Sequence, residues 1–111
     1  METPAVYHQI IERLITENAR VPFANSDVQL VPVFDRQRDH YLVMLVGWEG
    51  KKRKHGCLIH VDIIDGKFWI QRDGTEYGIA TDLEAAGVPK DRIVLGFRDP
   101  KIRPYTGYAV A

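Results

Sequence analysis

Cysteine is almost missing from this chain: Cys57 stands alone, so no internal disulfide can form and neither a cysteine-rich zinc site nor a CxxC redox pair can be built. An intracellular, cytoplasmic setting is the expectation. Long apolar runs are missing too. The N-terminal METPAVYHQIIERL is broken by charges and lacks a basic start followed by an apolar block. Nothing approaches the roughly 20 apolar residues of a membrane span. Neither sign of charge is in excess, since Lys plus Arg and Asp plus Glu each number 15. No global field therefore draws the chain to nucleic acid or anionic lipid, although a local patch still can. Internal repeats, low-complexity runs and linkers are absent. So are a phosphate loop, a dinucleotide fingerprint and a metalloprotease motif, and no cofactor is expected.

What remains is a chain of 111 residues, 45% apolar, which suits one domain over residues 1–111 with a single core. Thr3 is placed to cap a helix whose first turn starts at Pro4. Val6, Ile10 and Leu14 with Tyr7, Ile11 and Ile15 give that helix one apolar stripe, and it should stop before Pro22. From Asp27 the pattern turns to strands, about 27–34, 39–48, 54–64 and 67–72, joined by the short connections DRQRD, EGKK and DG. A short helix follows near 78–86, ended by Gly87 and Pro89. RIVLGF offers a small edge strand, and the tail RDPKIRPYTGYAVA, kept from helix by Pro100 and Pro104, ends apolar and should dock. The fold class is α+β: an N-terminal helix, a four-stranded antiparallel meander, a second helix and an extended tail, with the helices on one sheet face.

A two-residue turn at Asp65-Gly66 pairs Ile64 with Lys67, Ile63 with Phe68, Asp62 with Trp69 and Val61 with Ile70. Cys57, Ile59, Val61, Ile63, Phe68 and Ile70 then share the core face, and an uninterrupted second hairpin adds Leu42, Met44, Val46 and Trp48. The other face receives Tyr41, Val43, Leu45, Leu58 and Trp69 among His60, Asp62, Lys67 and Gln71. That is too apolar for a face simply left in water, and an interface between copies of the chain, joined by Tyr105 and Tyr108 of the tail, is expected there ahead of the alternative, a monomer whose tail folds back to cover the patch.

Several patterns invite chemistry. His60 and Asp62, two apart on a strand, resemble a metal pair or a base with its orienting acid, with His40, His55 or Asp65 as candidate third ligands. By the pairing above, however, His40 and His55 fall on the core parity or at its rim, and the pair reads as the polar part of an interface. Glu49 with Asp65-Gly66-Lys67 imitates the acid and acid-x-lysine of magnesium nucleases. Asp-Gly is also the strongest short hairpin signal, which puts Asp65 and Lys67 on opposite sides of a reversal. Lys51, Lys52, Arg53 and Lys54 form a basic hairpin tip, either solvated or a phosphate contact assisted by Arg98, Lys101 and Arg103. Cys57 on a central strand reads as an inert thiol and Ser26 sits in no nucleophile motif. No catalytic residue and no metal ligand is assigned.

The segments RDHYLVMLVGW, GCLIHVDI, DGKFWIQ and GVPKDRIVLGF, with a closing YTG before an apolar end, resemble the XisI family of fdxN element excision controlling factors. The likeness runs from about Tyr7 to the last residue. It implies a non-enzymatic role in programmed excision of a DNA element by site-specific recombination. A separate recombinase would cut and join, an XisH-like protein would be the physical partner, and any association with recombinase and DNA would be indirect. The family supplies no catalytic residue to carry over.

Overall fold

The structure, a computed structural model, describes residues 3–22 and 27–111. Part of the turn expected after the first helix, with Ser26, lies outside them. Helix α1 spans Ala5–Ala19 and buries Tyr7, Ile11, Leu14 and Ile15, four members of the expected stripe. Its start differs from the expectation. Pro4 is the flanking residue, no side chain caps the helix, and the first turn closes when the Tyr7 amide donates to the Pro4 carbonyl at 3.0 Å.

Five strands follow: β1 (Gln29–Asp35), β2 (His40–Glu49), β3 (Lys52–Ile64), β4 (Lys67–Asp73) and β5 (Ile93–Leu95), neighbours in that order. The first four make the antiparallel meander. RIVLGF supplies the fifth strand, which runs parallel to β4 because a helix separates the two in sequence and returns the chain to the same end. At the β3–β4 turn Asp65 and Gly66 have φ of 50° and 73°, the pair of positive angles that a tight hairpin turn needs. Ile64 accordingly faces Lys67, Ile63 faces Phe68, Asp62 faces Trp69 and Val61 faces Ile70.

The pairing of β2 with β3 departs from the uninterrupted register. From the Gly50-Lys51 turn to Met44 opposite Cys57 the pairing is regular, but the next pair is Val43 with Ile59, so Leu58 is an extra residue. A single insertion of this kind exchanges the two faces of everything beyond it. Tyr41 and Val43 therefore join Val61 and Ile59 in the core, all four completely buried, whereas the expectation had put them outside. Leu42, opposite His60, takes the outer face. Leu58 packs against the core from the helix side, and so does Leu30, whose pairing partner Leu45 shares its face. Cys57 leaves the parity of Ile59 and sits with Met44.

Helix α2 (Ile79–Ala85) is set by Asp73, whose carboxylate accepts from the Ile79 amide at 2.8 Å, the Thr75 amide at 3.0 Å and the Thr75 hydroxyl at 2.5 Å. It ends as the sequence implies. Gly87 adopts φ 98°, the Val88 amide donates to the Leu83 carbonyl and the Gly87 amide to that of Glu84, the paired bonds of a left-handed helix terminus. Both helices lie on one side of the sheet, where Ile11, Ile15, Ile79 and Leu83 pack with Tyr41, Ile59, Phe68 and Ile93. The tail docks on β5: the Ala109 amide donates to the Ile93 carbonyl at 2.9 Å, and Ala109 bridges Val94. That covers a three-residue edge strand which would otherwise expose unpaired backbone. No helix among the described residues is long and apolar enough to cross a membrane.

Candidate functional site on the open sheet face

The face away from the helices is crossed by rows of paired residues. One row runs Val31, Met44, Cys57; the next runs Val33, Leu42, His60; a third runs Asp35, His40, Asp62, Trp69, Val94. Val33 and Ile64 are 41% and 44% exposed, and Leu42, Met44 and Val46 are half-buried. The face is thus as apolar as the sequence implies, but its β2 members are Leu42, Met44 and Val46 in place of Tyr41, Val43 and Leu45.

The extra residue at Leu58 also brings His40 directly opposite Asp62, with His60 two residues back on β3. His40 Nδ1 lies 2.6 Å and His60 Nε2 2.8 Å from the same oxygen, Asp62 Oδ1. Gln71 Nε2 donates to Asp62 Oδ2 at 3.3 Å. The rings stand edge to face, 71° apart with centroids separated by 6.1 Å. The sequence pairs His60 with Asp62 correctly and offers His40 as a third member, but an uninterrupted register sets His40 on the core parity or at its rim, and the extra residue at Leu58 corrects that. Asp62 is buried, and burial alone would raise its carboxyl pKa. The hydrogen bonds from His40 and His60 and their charges outweigh burial and hold it below its ordinary 3.8. The same contact raises His40 above 6.5, against the smaller effect of its own desolvation.

These shifts fix a pH dependence. The raised His40 contributes stability that is complete below 6.5 and is lost as pH rises through its folded value; the lowered Asp62 contributes stability present above 3.8 and lost as pH falls through its folded value. The cluster therefore stabilises most between those limits. His40 is half exposed, so the effect should stay under about 1 kcal/mol. In metal-free buffer, NMR titration should find the His40 ring titrating above 6.5 and returning toward it in Asp62→Asn; an unmoved midpoint in the variant would refute the pairing.

The family model for XisI protein matches residues 1–110. The chain belongs to the XisI family. Two solved structures support the assignment. A XisI-like protein from Anabaena variabilis is 40% identical, covers 96% of this chain and 97% of its own, and superposes with a TM-score of 0.88. The fdxN element excision controlling factor XisI from Anabaena variabilis is 34% identical, with coverage of 95% and 96% and a TM-score of 0.81. No curated protein matches.

In this XisI-family chain the remaining candidate residues separate. Asp65 stays in the turn and Lys67 Nζ donates to the Ala111 carbonyl at 2.6 Å, so the nuclease-like pattern does not assemble on one strand. β4 reaches only as far as Ile59 along β3, leaving the β2–β3 tip as a ribbon with Lys51, Lys52 and Arg53 exposed and Lys54 half-buried. Arg53 also stacks on Trp48, its guanidinium 5.5 Å from the ring centroid. Of the tail residues, Tyr105 is 86% exposed. Tyr108 is committed within the chain: it donates to Glu84 Oε2 at 2.6 Å, which, with burial, pushes its hydroxyl pKa up to about 12. Trp69 is likewise partly covered, with Arg103 lying 5.2 Å from its ring centroid.

Proposed function

We propose that the chain is a non-enzymatic regulatory protein for programmed excision of a DNA element, acting in the cytoplasm through contacts with a second copy of itself and with an XisH-like protein. Association with the recombinase and DNA is indirect. The relative described as an fdxN element excision controlling factor supports the regulatory role. The observation that carries the contact reading is the open face, where Val33, Leu42, Met44 and Ile64 surround the His40, His60 and Asp62 cluster on the side of the sheet that the helices leave bare. Apolar side chains ringed by polar ones are what a recognition surface requires. Trp69 and Gln71 border it, and the exposed Tyr105 of the tail is assigned to the same contact surface.

Calorimetric titration with an XisH-like protein tests the partner. Saturable binding is expected, and no heat or mass change at micromolar concentrations would remove that partner.

A second reading, a DNA-binding accessory factor, is favoured by the exposed basic tip at Lys51, Lys52 and Arg53. It requires duplex DNA retardation at low salt, and replacing Lys51, Lys52, Arg53 and Lys54 by Gln should flatten the salt slope by about 1 for each phosphate no longer neutralised. Absence of retardation at low salt would end it.

A further inference from the structure

We propose that His40, His60 and Asp62 bind a divalent first-row transition metal ion, with Zn2+ as the representative. Two imidazoles and one carboxylate are a donor set that such ions take, and three protein ligands with open positions are enough for a zinc site. The structure provides the convergence. His40 Nδ1, His60 Nε2 and Asp62 Oδ1 all lie within 4.8 Å of one another, and both ring nitrogens already point at the same oxygen.

Metal bonds of about 2.0–2.2 Å place neighbouring tetrahedral donors about 3.3 Å apart. The nitrogen–oxygen contacts of 2.6 and 2.8 Å would therefore open by about 0.5–0.7 Å, and the two ring nitrogens, no more than 4.8 Å apart, would come to about the same 3.3 Å. Paired strands fix the Cα positions of His40, His60 and Asp62, so the adjustment would fall to rotation of the edge-to-face imidazole rings. The ion would take the place of the two N–H groups that now donate to Asp62 Oδ1: a neutral imidazole moves that proton to its other ring nitrogen, and a protonated one releases a single proton to solvent.

The surroundings fit as well. Gln71 holds the second carboxylate oxygen, the kind of outer partner that orients a ligating acid and leaves Oδ1 for the ion. The His40 and His60 side chains are 45% and 32% exposed, which gives an ion a path in and leaves its remaining positions to solvent or an incoming side chain. Asp62 is the one buried charged residue among the described residues, so a cation there would neutralise the least solvated charge in the fold. None of this depends on what covers the open face.

The test is titration of the chelator-treated full chain with zinc chloride, by calorimetry and by metal analysis after dialysis. One zinc per chain is expected. His40→Ala and His60→Ala should each weaken binding by more than about 100-fold and Gln71→Ala by about 10-fold, the range for outer partners, while His55→Ala at the exposed hairpin leaves it unchanged. Absence of stoichiometric zinc, or wild-type affinity in the His40→Ala/His60→Ala double variant, would overturn the proposal. Should the variants fold poorly, NMR of the wild-type chain decides: zinc should shift the rings of His40 and His60, and shifts confined to His8 and His55 would contradict the site.

Discussion

Truncating Tyr41 to alanine should cost about 3–5 kcal/mol of folding stability, while truncating its neighbour Leu42 should cost about 1 kcal/mol or less. The asymmetry comes from the extra residue at Leu58. Tyr41 is fully buried opposite Val61, its ring 5.9 Å from that of Phe34 and its hydroxyl donating to Asp39 Oδ1 at 2.9 Å. Burial and that bond both push its hydroxyl pKa upward. Removing the ring empties a closed core; Asp39 Oδ1 keeps His8 Nε2 at 3.1 Å, so the loss is mainly one of packing. Leu42 keeps one side toward solvent. In an uninterrupted hairpin the two residues would exchange roles, so urea denaturation of the two variants reads the register directly. A larger loss for Leu42→Ala than for Tyr41→Ala would refute the pairing.

Ending the chain at Lys101 should cost about 4 kcal/mol, a large fraction of the about 5–15 kcal/mol that holds an ordinary domain folded. The loss sums two parts. The Ala109 amide and the Tyr108 hydroxyl give up hydrogen bonds to Ile93 and Glu84, about 1 kcal/mol each. Tyr108 and the cover over Val94 and Trp69 contribute apolar burial of about 1.5–3 kcal/mol. The single substitution Tyr105→Ala, at a position left open to water, should by contrast lie within about 0.5 kcal/mol of the parent. An unchanged urea midpoint after truncation would show that the tail is ornamental to the fold.

Much of this architecture could be read from local chemistry. Asp65-Gly66 announces its own turn, and the turn fixes the register of β3 with β4. Gly87 before Pro89 ends the second helix by giving the only residue type that takes a positive φ without strain. The limits are equally specific. Both parities of Tyr41–Val46 are apolar, so nothing within β2 says which set is buried, and one extra residue at Leu58 decides it. That same residue moves His40 beside Asp62, which is why two-residue spacing along β3 yields His60 and Asp62 but not the position of His40. β5 is three residues long, too short for a periodicity of its own, and its parallel pairing depends on where α2 returns the chain. At the first helix, a well-placed Thr3 counted for less than the Pro4 carbonyl, which accepts from Tyr7 without any side-chain cap.

The contact surface carried by Val33, Leu42, Met44 and Ile64 is the centre of the account, and sedimentation velocity over a micromolar concentration series tests it most directly. The wild-type chain should sediment at a multiple of its 12.7 kDa mass, and Leu42→Glu should shift it to a single chain with its fold intact by circular dichroism. A wild-type mass of one chain across the series, or an unchanged assembly in Leu42→Glu, would contradict the proposed surface.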